Sequence, residues 1–165
     1  SRASRNDMSG PDIGDKAPNF TAKLQNDEDW TLSENLEKTG IILYFYPKDS
    51  TPGCTTQACD FRDAMPVLSS ENWTVVGVSR DSASSHLRFI DKQNLNFDLI
   101  VDSDTEIHQL YGAWGEKKNY GKVYMGAIRS TFIIGQDGII QWCGKGVKSK
   151  GHVERLLKIL DIENQ

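Results

Sequence analysis

The 165-residue chain has no long apolar run: the longest, Ile41 to Tyr46, is six residues, whereas spanning a bilayer takes roughly 20. A soluble chain with no membrane partner is expected. It also has no surplus of positive charge. Nineteen basic against twenty-three acidic side chains leave a net charge of −4, the wrong sign for a protein held on phosphate by counterion release, so nucleic acid is not an expected partner either. No positively charged start leads into an apolar stretch, so the chain as given carries no secretory signal. Cysteine is scarce: three residues are too few for a disulfide scaffold, and an odd number cannot all pair within one chain. A reducing, cytoplasmic setting is expected, or an organelle after removal of a targeting segment.

What is present fits a single globular domain. Hydrophobic residues at 38%, 14 glycines and 25% charged residues match ordinary globular composition and exclude disorder or collagen-like repetition. The length falls within the roughly 100 to 200 residues of one domain. Residues 1–7, polar with Arg2 and Arg5 ahead of Met8, read as a tail or expression scar, and residues 8–165 as the domain.

The run Ile41 to Tyr46, stopped by Pro47, has the length and continuous apolarity of a central strand buried on both faces. Further β-rich runs are Thr74 to Ser79, Phe97 to Val101, Ser130 to Ile134 and Ile139 to Cys143, the last two joined as a hairpin by Gln136-Asp137-Gly138. Helical patterns cover Thr51 to about Leu68, Ser82 to about Asn94 and Thr105 to Tyr111, each with a Ser, Thr or Asp placed to cap its start. After Ser149, Val153, Leu156, Leu157 and Leu160 fall on one face of a 3.6-residue period. Alternating strands and helices followed by a hairpin and a closing helix predict an α/β, thioredoxin-like sandwich, a mixed central sheet of about five core strands flanked by helices. The stretch Gly112 to Gly126 reads as a long loop of the kind that often carries function.

Cys54 lies where the central strand gives way to a helix, in Pro47-Lys-Asp-Ser-Thr51-Pro52-Gly53-Cys54. With Thr51 as N-cap and Pro52 in the first helical position, where its missing N–H costs nothing, the sulfur faces unpaired amides in the first turn. Those amides and the positive end of the helix dipole favour thiolate over thiol, which makes a nucleophile. Gly53 lets another group approach closely. The bland alternative is a small buried hydrophobe at a strand-to-helix corner.

The segment Phe45-Tyr-Pro-Lys-Asp-Ser-Thr-Pro-Gly-Cys-Thr-Thr-Gln-Ala-Cys-Asp-Phe-Arg-Asp63 closely resembles the active-site stretch of peroxiredoxins. A second cysteine five residues on, with Tyr124-Met-Gly-Ala-Ile-Arg-Ser-Thr-Phe-Ile-Ile-Gly-Gln-Asp-Gly138 downstream, is similar to the bacterioferritin-comigratory or Q-type branch. The resemblance runs from about Gly14 to Leu160. It implies a thiol peroxidase that needs no metal, haem or flavin and reduces hydrogen peroxide and organic hydroperoxides. It further implies that Pro47 shields the site, Thr51 orients the peroxide, Cys54 attacks it and Arg129 supports the thiolate and the developing charge. Each role makes physical sense, since donors aimed at a leaving oxygen act mainly in the transition state and a guanidinium is always charged.

Attack leaves Cys54 as a sulfenic acid, which condenses with a second thiol. Cys59 is the implied resolver, and thioredoxin or another dithiol the implied reductant. Residues five apart in an ideal helix lie about 140° round the axis and about 7.5 Å along it, with Cα atoms about 8.7 Å apart. Disulfides rarely exceed about 7 Å. Forming this one is therefore predicted to unwind the first turns of the helix. Resolution within one chain removes any need for a dimer, so a monomer is expected.

Competing readings are weaker. A disulfide oxidoreductase on the same fold should carry Cys-x-x-Cys, and four residues separate these thiols. A peroxide-sensing switch would use oxidation of Cys54 without turnover. Zinc wants four ligands, and no second ligand pair accompanies Cys54 and Cys59. His86, His108 and His152 read as solvated or locally bonded, and Cys143 as a sheet cysteine without redox part. Lys145, Lys148 and Lys150 read as a solvated face, or alternatively as a landing site for an acidic reductase. Trp114 to Tyr124 either shape substrate access or pack the loop.

Overall fold

The computed structural model describes residues 10–163, so the expected tail over residues 1–7 lies outside the described residues. In chain order the elements are β1 (Thr21–Leu24), β2 (Asp29–Thr31), α1 (Leu32–Leu36), β3 (Gly40–Phe45), α2 (Pro52–Ser70), β4 (Trp73–Ser79) and α3 (Ala83–Gln93). They continue as β5 (Asp98–Val101), α4 (Glu106–Leu110), β6 (Trp114–Asn119), β7 (Lys122–Ala127), β8 (Ser130–Ile134), β9 (Ile140–Lys145) and α5 (His152–Ile159).

All six residues of β3 are buried, because alternate side chains of a strand point to opposite faces and here both faces are covered. Ile42 and Tyr44 face a core closed by α2, α3 and α5, with Phe61, Leu68, Phe89, Leu156 and Leu157 packed on them. Ile41, Leu43 and Phe45 face a second core closed by α1 and α4, with Leu32, Ile107, Tyr111 and Phe132. The sheet order is β2-β1-β5-β4-β3-β8-β9. Strand β3 runs parallel to β4 and antiparallel to β8, while β4 runs parallel to β5. The five expected strands thus form a thioredoxin-like mixed sheet with β3 in the middle of the five.

Two differences have clear causes. The sheet is extended by β1 and β2, whose short polar sequences TAKL and DWT carry little strand signal alone and are ordered by pairing antiparallel with each other and, for β1, with β5. The expected loop over residues 112–126 is instead largely a separate hairpin of β6 and β7. Tyr120 and Gly121 both have positive φ, 52° and 77°, the pairing demanded by a tight primed turn.

The histidine expectation is corrected in part. None of the three is solvated: His86, His108 and His152 are all buried. Each is hydrogen-bonded, to Asp49 and the Ile100 carbonyl, to Asp102, and to Thr131 respectively. Capping also differs from expectation. Ser82 accepts from the Ser85 N–H at the start of α3, but the first amides of α4 are taken by Asp104 and Asp102 rather than Thr105.

Candidate active site

Helix α2 starts with Pro52 in its first turn and contains Pro66. A proline has no N–H to give the carbonyl four residues back. The carbonyl of Arg62 accepts instead from the Asn96 side chain at 3.1 Å. At the other end Thr51 occupies the N-cap position, φ −81° and ψ 156°, without a side-chain cap bond. Its hydroxyl donates to the Lys48 carbonyl at 2.9 Å, pinning the preceding turn and leaving the first-turn amides without a side-chain acceptor.

That turn is clamped from beneath. The buried Asp49 carboxylate accepts from the Tyr46 hydroxyl, from the Ser85 hydroxyl at 2.8 Å and lies 2.7 Å from His86 Nδ1. The Asp49 N–H donates to Asp81, which also accepts from Ser79. Possible donor atoms of Asp49, Asp81 and His86 lie within 4.8 Å of one another. The bonds just given commit all three residues to the clamp. Pro47 sits half-buried between the end of β3 and this turn.

Cys54 lies in the first turn of α2 and is 2% exposed. Arg129, from the junction of β7 and β8, donates through Nη2 to its sulfur at 3.3 Å. The backbone of Arg129 is itself held, its carbonyl accepting from the Val147 N–H at 3.0 Å. The other arm of the fork, Nη1, donates to Oε1 of Gln57. Gln57 is fully buried one turn beyond Cys54 on the same helix, and sequence reasoning missed it. The available signal was a glutamine three residues after the cysteine, on the face of α2 that the burial pattern turns inward.

Gly53 meets its expected close neighbours. A Cβ there would lie 3.1 Å from Ser149 Oγ and 3.5 Å from Arg129 Nη2, so the loop between β9 and α5 reaches the site through Ser149, a second residue the sequence did not single out. Two buried polar atoms nearby lack hydrogen-bond partners, Tyr44 Oη and Gln57 Nε2. Burial, followed by the charges of Cys54 and Asp49 and opposed by Arg129, pushes the Tyr44 phenol well above its ordinary range, so it stays protonated.

Cys59 is half-buried on the same unbroken helix, its thiol donating to Gln93 Oε1 at 3.5 Å. All three cysteines are free. Cys143 lies on β9, its thiol bonded to Asp12 at 3.3 Å. Burial, with the Asp12 contact second, pushes that thiol up to about 11, leaving almost no nucleophilic thiolate at neutral pH. The structure thus brings Cys54, Arg129, Thr51 and Gln57 to the start of α2 and leaves Cys59 farther along the helix. The chemistry available is that of a buried sulfur nucleophile with a fixed cation beside it.

Residues 13–143 match the AhpC/TSA family. Among curated relatives, peroxiredoxin Bcp of Bacillus subtilis is 45% identical over 151 residues, covering 90% of this chain and 94% of that protein. Peroxiredoxin Bcp of Escherichia coli is 39% identical, covering 89% and 94%. Among solved structures, a cysteine-to-serine mutant of PrxQ from Xylella fastidiosa superposes with a TM-score of 0.86 at 38% identity, covering 93% of this chain and 97% of that one. The bacterioferritin comigratory protein of Xanthomonas campestris, studied for its alkyl peroxide reduction activity, gives 0.81 at 35% identity, covering 86% and 90%.

Proposed function

The chain belongs to the AhpC/TSA family, with the Bcp and PrxQ peroxiredoxins as its relatives, and is a thiol peroxidase; we propose that Cys54 is the sulfur that reduces the hydroperoxide and Cys59 the one that resolves it. The contact that supports this reading most is the 3.3 Å donation from Arg129 to Cys54 at a helix start. A guanidinium beside the sulfur is a fixed positive charge, in place for the negative charge that develops on the departing oxygen.

The Cys54 thiolate attacks one peroxide oxygen, an S–O bond forms as the O–O bond breaks, and the leaving oxygen takes a proton to depart as water or alcohol. Thr51 already donates its hydroxyl hydrogen to Lys48, so its oxygen is free to accept from the peroxide O–H and fix its orientation. Pro47 screens the turn from water. The Cys59 sulfur then attacks the sulfenic sulfur, forming the S–S bond as the S–O bond breaks, and the departing hydroxide takes the proton given up by the Cys59 thiol to leave as water. Two electrons from a dithiol reopen the disulfide through a mixed disulfide, and thioredoxin is the reductant we assign.

The enzyme works as one domain and as a monomer, in a reducing compartment, the cytoplasm in our reading. Nucleic acid and membrane play no part; among the described residues no helix is long and apolar enough to cross a membrane. The test is a stopped-flow reaction of prereduced protein with hydrogen peroxide, with mass spectrometry of the product. Cys54→Ser is expected to abolish the reaction. Cys59→Ser is expected to keep one stoichiometric reduction and lose thioredoxin-supported cycling. Cycling undiminished in the second variant would pass the resolving role to another thiol, and Cys-independent peroxide loss would overturn the assignment of Cys54. A disulfide oxidoreductase or a sensor would show no sustained peroxide consumption with a dithiol.

A further inference from the structure

The loop between β9 and α5 is the part of the molecule that touches the site without yet having a task. Its Val147 N–H holds the Arg129 carbonyl, and its half-buried Ser149 hydroxyl abuts Gly53 at the start of α2. Lys148 and Lys150, on either side of Ser149, are exposed. With Lys145 and Arg155 they line an open concavity of about 540 Å³ whose walls are otherwise glycine, Trp142, Cys143, Val147 and His152. Arg155 lies over the Trp142 ring at 5.7 Å. Among the described residues no carboxylate lies within ion-pair distance of Lys148, Lys150 or Arg155. On a chain of net charge −4, this is a local field of the opposite sign at the rim of the active site. It ends at Lys150, which also borders a second concavity lined by Asp60, Asp63 and Glu154 along α2 and α5.

We propose that this basic loop is the docking surface for the protein dithiol that regenerates the enzyme, and that the partner presents an acidic surface beside its own thiols. The inference rests on the reductant assignment made above. The hydroperoxide is small and neutral and needs no field to reach Cys54. A protein reductant must bring a thiol to the disulfide after the start of α2 has opened, and the loop that packs against that start is where a partner would be oriented toward it. Fixed positive charge there speeds encounter with an acidic partner and leaves the small substrate unaffected.

The test compares wild type with Lys148→Glu/Lys150→Glu in three assays: reaction of prereduced protein with peroxide, cycling with neutral dithiothreitol, and cycling with an acidic thioredoxin, its reductase and NADPH. The expected result is a drop of about tenfold in kcat/KM for the thioredoxin, carried by KM. The other two rates should stay unchanged, and the wild-type advantage should fade as salt rises, because exposed charges are screened beyond roughly 10 Å at 0.1 M ionic strength. An unchanged kcat/KM for thioredoxin, or an equal loss in all three assays, overturns the proposal. Wild type that cycles with dithiothreitol but not with thioredoxin overturns the reductant assignment instead.

Discussion

The two arms of the Arg129 guanidinium end on different acceptors, the Cys54 sulfur and Gln57 Oε1, and only the second is a permanent part of the scaffold. Gln57 therefore positions the cation, and Gln57→Met, which keeps volume and removes the acceptor, should loosen it. A hydrogen bond to a charged group contributes about 1.5–3 kcal/mol, so the reaction of prereduced protein with peroxide is expected to slow by about 10- to 100-fold. Thermal stability should change little, because Gln57 Nε2 is already buried without a partner and methionine removes that unsatisfied donor. Joint loss of rate and of Tm would make Gln57 structural only. His152 gives the pH prediction. Burial first, then Arg155 and Arg129, hold its imidazole down to about 4 from 6.5. The unfolded chain then binds the proton more readily, so this contribution is fully present above pH 6.5 and is lost as pH falls through about 4, at most about 3 kcal/mol. Urea midpoints measured between pH 7 and 4 should fall more steeply for wild type than for His152→Asn; parallel curves would refute it. Cys54 and the cap position of Thr51 were legible from their place at a helix start, whereas Arg129 came from the family resemblance; the structure sets the Arg129 guanidinium against the Cys54 sulfur. Gln57 and Ser149 were not legible, because their parts depend on Arg129 folding back across 72 residues and on a distant loop landing on Gly53.

At the scale of the element, α2 carries a conflict. It is one helix through both thiols, yet a helix holds residues five apart at about 8.7 Å between Cα atoms, beyond the roughly 7 Å reach of a disulfide. Forming the proposed Cys54–Cys59 disulfide would therefore unwind its start. Two features limit how far this spreads. Below, the Asp49–His86 clamp ties the preceding turn to α3 and β5. Beyond, Pro66 already interrupts the hydrogen-bond ladder, and Ala64, Met65 and Leu68 are anchored in the core. Native-state amide hydrogen exchange on the oxidised protein should show protection lost from Thr55 to about Arg62 and retained from Val67 onward. Equal protection along the whole helix in both redox states would refute the unwinding. The helix itself was readable from Thr51 at its cap position and Pro52 in its first turn, and the strain from cysteine spacing alone. The β6–β7 hairpin was not, since Lys, Asn and Gly dominate its sequence and only the pairing of one strand with the other makes it a sheet.

For the whole molecule, the parts legible in sequence were those that bury themselves: five strands whose apolar runs fill two cores, and helices whose period faces them. The edge strand β2 and its neighbour β1 escaped because their order comes from the strands they pair with and not from their own residues. The same distinction bears on assembly. The two thiols proposed for the cycle, Cys54 and Cys59, stand on one helix of one chain, so the proposed cycle needs no residue from a second copy. The exposed apolar side chains are concentrated on the hairpin, where Tyr120, Val123, Tyr124 and Met125 are 98%, 55%, 46% and 53% accessible, and this is the face a second copy would have to cover. Stable interfaces bury on the order of 800 Å² per partner, more than one two-stranded ribbon readily presents. Sedimentation equilibrium over a wide range of concentrations is therefore expected to give 18.5 kDa for reduced and oxidised protein alike. A mass near twice that value, abolished by Val123→Lys together with Met125→Lys, would refute the monomer and place its interface on the hairpin.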